Sequence, residues 1–67
     1  MKVPVEIKGR KKEVLELPEG ALVTDVLKKL EINRETVVVF INGRAVPEEE
    51  PVNEGSELTI LPIVTGG

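Results

Sequence analysis

The chain has 67 residues, a net charge of −3 and a pI near 4.9, which allows one domain, one core and no deep substrate cavity, because a domain this small buries only about 60% of its unfolded surface. It has no Cys, His, Trp or Tyr, so it lacks disulfides, thiolate metal sites, the usual general base and most aromatic platforms for nucleic-acid bases. A stand-alone enzyme, a bound cofactor or metal, and a direct nucleic-acid partner are all disfavoured on these grounds.

Residues 3–8 read VPVEIK, in which Val3, Val5 and Ile7 alternate with Pro4, Glu6 and Lys8, the pattern of a half-buried strand. Gly9-Arg10-Lys11-Lys12 reads as a hairpin connection whose basic residues form a solvated tip. Glu13 to Leu17 is the second strand, with Leu15 and Leu17 towards the core, and Pro18-Glu19-Gly20 stops it. Thr24 has the chemistry of an N-cap, and Asp25 suits the first turn of a helix over residues 24–31. Val26, Leu27 and Leu30 share its apolar face. So short a helix is unstable alone in water and requires a sheet to pack on.

Val37 to Ile41 is a run of β-branched and aromatic residues ended by Asn42-Gly43, a strong turn signal. Ala45 and Val46 read as a brief further strand before Pro47, and Glu48-Glu49-Glu50-Pro51 as a solvated loop. Asn53-Glu54-Gly55-Ser56 turns the chain into a last strand, Glu57 to Leu61. Pro62 is expected to end that strand. The domain would then occupy residues 1–62, with 63–67 leaving it as a free arm. The order β-β-α-β-(β)-β is an α+β pattern: a mixed sheet of four or five strands crossed by one main helix. The expected core is Val5, Ile7, Leu15, Leu17, Val26, Leu27, Leu30, Val39, Ile41, Leu58 and Ile60.

The element order, the segment Phe40-Ile41-Asn42-Gly43-Arg44-Ala45-Val46-Pro47, the turn Asn53-Glu54-Gly55 and the terminal Gly66-Gly67 together resemble the ubiquitin-like β-grasp proteins. More narrowly, they resemble the ThiS/MoaD-type sulfur carriers and the archaeal ubiquitin-like small modifiers. The resemblance covers the whole chain. A terminal Gly-Gly alone is a modest signal, arising by chance in about one chain in 200. What precedes it makes it specific.

The resemblance implies a defined chemistry at Gly67, whose carboxylate would be adenylated by a ubiquitin-type activating enzyme using ATP and Mg²⁺. In carriers, sulfur from a persulfide then replaces AMP and leaves a thiocarboxylate, for thiamin, molybdopterin or tRNA thiolation. In modifiers, the activated glycine is passed to a target lysine as an isopeptide bond. The implied partners are the activating enzyme, a sulfur donor or sulfur-accepting synthase, and target lysines. Ile63, Val64, Thr65 and Gly66 would form the arm that carries Gly67 into the partner's site.

In a β-grasp the third and last strands are neighbours, so the outward residues Val38, Phe40, Thr59 and Leu61 would form one apolar partner-binding patch. A purely non-covalent binding module on the same fold is the competing reading, since fold alone does not fix function. No apolar run approaches the ~20 residues of a membrane span, and the N-terminus lacks a signal-peptide core. A cytoplasmic monomer is expected.

Overall fold

Alternation along the N-terminal strand sets the plan of the molecule. In the computed structural model, which describes residues 1–63, Val3, Val5 and Ile7 all point into the core from β1 (Lys2–Ile7). The chain turns through Lys8-Gly9-Arg10, with Gly9 at φ 80° and the Arg10 N–H donating to the Ile7 carbonyl at 2.9 Å. Strand β2 (Lys11–Glu16) therefore begins two residues earlier than the sequence reading placed it: Lys11 pairs with Ile7 and Lys12 with Glu6.

Helix α1 spans Val23–Lys29 and buries Val23, Val26 and Leu27. Thr24 is not its cap; it lies inside the first turn, because the helix starts one residue earlier to bury Val23. The free N–H groups of that turn find other acceptors. The Leu22 N–H donates to the Asp25 carboxylate at 2.8 Å, and the Val23 and Thr24 N–H groups donate to the carbonyls of Glu50 and Glu48, each at 2.9 Å. The acidic stretch is thus more than a solvated loop. Its backbone closes the helix N-terminus, Leu22 and Pro51 form a β-bridge, the Val52 N–H donates to the Ala21 carbonyl at 2.8 Å, and the Val52 side chain enters the core.

The helix ends in a Schellman arrangement: the Ile32 N–H donates to the Leu27 carbonyl and the Glu31 N–H to the Lys28 carbonyl. Glu31 takes the left-handed position at φ 58°, where glycine is usual.

A 3₁₀ turn at Arg34–Thr36, capped by the Asn33 side chain on the Glu35 N–H at 2.9 Å, leads into β3 (Val37–Ile41). Asn42 and Gly43, both at positive φ, reverse the chain into β4 (Arg44–Val46). The last strand, β5 (Leu58–Pro62), inserts between β1 and β3, parallel to β1 and antiparallel to β3. The sheet order is β2-β1-β5-β3-β4, and α1 covers one face. This is the ubiquitin-like β-grasp architecture.

The core holds nine of the eleven expected residues, joined by Val3, Ala21, Val23 and Val52. Leu30 and Ile41 are only half-buried and pack against its rim.

Pro62 does not end the sheet pairing. It stands opposite Val37, and the next N–H, that of Ile63, donates to the Thr36 carbonyl at 2.8 Å. Successive amides of a strand point to opposite sides. With Ile63 facing β3, the Pro62 nitrogen faces the β1 side, where β1 has already turned away. The missing N–H of proline therefore costs no ladder bond there. Val64, Thr65, Gly66 and Gly67, the rest of the expected arm, lie outside the described residues.

Two outcomes follow from this packing. Leu27→Ala and Ile60→Ala should each destabilise the protein by about 2–5 kcal/mol, whereas Val14→Ala, at a position 62% exposed, should stay within about 0.5 kcal/mol. Chemical denaturation midpoints check both, and an unshifted midpoint for either core variant would contradict the core assignment. The Ile63 amide, held by Thr36, should also exchange at least about tenfold more slowly than an unprotected amide. Exchange at the intrinsic rate would place the start of the arm at Ile63, as the sequence reading has it.

Candidate functional site

The face of the sheet opposite α1 is built from the residues that alternate with the core. Val39, Leu58 and Ile60 point inward, so Val38, Phe40, Thr59 and Leu61 share the outer face. The β3–β5 register sets Phe40 directly opposite Thr59 and Val38 directly opposite Leu61. All four expected patch residues are therefore adjacent. Leu61 is 40% exposed, and the other three are half-buried by one another and by their neighbours.

The patch continues onto β4, where exposed Ala45 stands opposite Phe40. Sequence reasoning passed over Ala45, because only the Asn42-Gly43 register shows which β4 residue meets Phe40. On the other flank, Glu6 of β1 stands opposite Thr59, and Lys12 of β2 opposite Glu6. A single row thus crosses the sheet as Lys12, Glu6, Thr59, Phe40 and Ala45. Its β5–β3–β4 half is apolar and its β2–β1 half is charged. Between β2 and β5 the same face is indented by an open groove of about 340 Å³, lined by Pro4, Glu6, Lys12, Val14, Glu57 and Thr59 among others.

Hydrogen bonds close the strand pair that carries the patch at both ends. At one end the Asn42 N–H donates to the Glu57 carbonyl at 2.9 Å, and the Asn42 side-chain oxygen accepts the Glu57 N–H at 3.0 Å. At the other end Ile63 is held by Thr36, whose hydroxyl donates to the Asn33 carbonyl at 2.8 Å. Beside it, Arg34 pairs with Glu48 and ties the 3₁₀ turn to the strap over the helix N-terminus. Ile63, the last described residue, is thus held at a fixed point at the edge of the patch. Among the described residues, no group of carboxylates is placed to hold a metal ion, and no helix is long and apolar enough to cross a membrane.

Comparison with known proteins agrees with this architecture. Residues 1–64 match the family model for small archaeal modifier protein 2. A small archaeal modifier protein 2 from Haloferax volcanii is 27% identical over 67 residues, covering 100% of both chains. Among solved structures, a putative molybdopterin converting factor subunit 1 from Pyrococcus furiosus superposes with a TM-score of 0.79 at 27% identity, covering 94% of this chain and 98% of that one. A ubiquitin from Caldiarchaeum subterraneum superposes with a TM-score of 0.78 at 23% identity, covering 100% of this chain and 98% of that one, which speaks for the shared fold alone. The chain belongs to the small archaeal modifier protein 2 family, among the ubiquitin-like β-grasp proteins of ThiS/MoaD type.

Proposed function

We propose that this protein is a co-substrate rather than an enzyme, and that its reactive group is the carboxylate of Gly67. The observation that carries this reading is the Gly66-Gly67 sequence, four residues beyond the last described hydrogen bond of β5, on a chain of the small archaeal modifier family. A carboxylate is a poor electrophile, because attack on it would have to expel oxide. Adenylation by a ubiquitin-type activating enzyme joins the carboxylate oxygen to the α-phosphorus of Mg²⁺-bound ATP, expels pyrophosphate and leaves AMP as the leaving group. Glycine suits this step. It has no Cβ to crowd the attacked carbon, and it accepts backbone angles closed to other residues.

Two fates follow from the acyl-adenylate. The terminal sulfur of a persulfide displaces AMP to give an acyl disulfide, and a second thiol cleaves the S–S bond to leave a thiocarboxylate for a sulfur-accepting synthase. Alternatively, the activated carbonyl is transferred to a lysine amine as an isopeptide bond. The family includes named modifiers, and a structural relative is named as a molybdopterin converting factor subunit, so both fates belong to this reading. The protein acts in the cytoplasm as a monomer. The Val38, Phe40, Thr59 and Leu61 patch docks the activating enzyme and delivers the arm. A non-covalent binding module would use the same patch but leave Gly66-Gly67 without a role.

Patch and terminus should separate kinetically in ATP–pyrophosphate exchange with the host's activating enzyme. Phe40→Ala removes contact made equally before and during the reaction, so it should raise the apparent KM for this protein by roughly thirtyfold with kcat little changed, the effect of losing an aromatic anchor worth about 2 kcal/mol. Deleting Gly67 should abolish exchange while leaving binding within a few fold. Replacement of one oxygen by sulfur, seen as an intact-mass shift after incubation with enzyme, ATP and a sulfur source, identifies the carrier fate. Normal exchange by the Gly67 deletion would show that the terminal carboxylate is not the activated group.

A further inference from the structure

The β1–β2 hairpin carries chemistry that adenylation of Gly67 does not use. Five of the nine Lys and Arg residues lie within residues 1–12, where Glu6 is the one acid, whereas residues 48–57 hold five acids and no base. The fold sets Lys8, within this basic cluster, beside the end of β5. Ile7 stands opposite Ile60, and the Lys8 N–H donates to the Ile60 carbonyl at 2.9 Å, so Lys8 flanks Leu61 near the end of β5. Continuing the alternation of β1, Lys8 faces outward with Pro4 and Glu6. Lys12 reaches the same face from β2 through its pairing with Glu6. Lys8, Arg10 and Lys12 are exposed and have no ion-pair partner among the described residues, whereas Lys11 is paired with Glu13 at 3.0 Å.

We propose that Lys8 and Lys12 form a cationic flank of the docking face. It would take an acidic protein surface bordering the channel through which the activating enzyme admits the glycine arm. This rests on the functional reading above and names the chemistry of the partner it invokes. The flank is continuous with the apolar patch, and a protein interface joins an apolar centre to a charged rim in that way. A nucleic-acid backbone has no use for Val38, Phe40 and Leu61, the apolar centre that this flank adjoins. The flank also addresses a difficulty of approach. A chain of net charge −3 is repelled as a whole by an acidic partner, but a local basic cluster turns it so that the end carrying the arm leads.

The test is a binding titration against the recombinant ubiquitin-type activating enzyme of the same host, without ATP, at low salt and at about 0.5 M salt. Lys8→Glu with Lys12→Glu should weaken binding by roughly tenfold or more at low salt and by less than about threefold at high salt, where screening removes the contribution. Lys28→Glu with Lys29→Glu changes the net charge equally on the exposed side of α1 and should bind within about twofold of the parent at both salts. Lys8→Gln with Lys12→Gln, verified as folded by its denaturation midpoint, should fall between parent and charge reversal.

Equal weakening by the helix pair would mean that net charge acts rather than this flank, and would overturn the proposal. So would undiminished enzyme binding by the hairpin reversal, including the case where that reversal instead abolishes binding to a bulk tRNA probe. Absence of binding by the parent chain would overturn the functional reading and this one with it. Loss confined to the hairpin variants leaves the Gly67 chemistry to stand or fall on exchange alone.

Discussion

The structure depends on its last strand taking the middle place in the sheet. Leu58 and Ile60 of β5 are almost wholly buried, and the strand is paired on one side with β1 and on the other with β3. Without β5 the sheet would be two separate hairpins, β1–β2 and β3–β4, each marginal in water. The core cannot close until residues more than fifty positions apart in sequence have met, since Val5 pairs with Leu58. The same strand leads to the glycines. A molecule that has not completed its fold therefore does not hold Ile63 against Thr36, so on the proposed function folding and presentation of Gly67 are one event.

A second long-range closure serves the helix. At seven residues, α1 has too few internal hydrogen bonds to hold itself, and its first turn borrows acceptors from residues 48 and 50. Those carbonyls reach it because Val52, two residues further on, is anchored in the core and donates to Ala21. The acidic run therefore divides its labour. Its backbone oxygens face the positive end of the helix, where negative charge is favoured, and the Glu48 carboxylate turns back to Arg34. Between Pro47 and Pro51 the strap folds as a turn, with the Glu50 N–H donating to the Pro47 carbonyl at 3.1 Å.

The residues that sequence alone could place were those with a period. Alternation in residues 3–8 and 57–61 gives the right faces to β1 and β5, whereas the unbroken apolar run 37–41 gives β3 as a strand and leaves its faces to the register with β5. Features with only a distant partner were not legible. Val52 stands alone among Pro, Asn and Glu and has no period to mark it as core. Thr24 has the right chemistry for a cap, yet the acceptors that close the helix come from another segment, so local rules put the start in the wrong place. Pro62 keeps its place opposite Val37 because a proline forbids pairing only on the side its nitrogen faces. That side is known only when the neighbouring strand is known to have ended. The glycines, by contrast, were legible as sequence and lie outside the described residues.

Because strand side chains alternate with a period of two, the core and the docking face are two readings of the same residues. A one-residue slip of β3 against β5 would bring Val38 and Phe40 inward and turn Val39 and Ile41 out, so fold and patch would fail together. Four β-branched or aromatic residues in succession after Val37 resist such a slip poorly, since either face of β3 could serve as a core face. The register must therefore be set at the strand ends. Asn42 sets it at one end: its positive φ starts the turn into β4, while its backbone N–H and side-chain oxygen both engage Glu57. A residue without that side-chain acceptor would keep one of the two contacts and lose the other. The Asn-Gly pair reads locally as a hairpin turn; its further consequence is to decide which of two apolar faces is buried and which forms the outer face of the sheet.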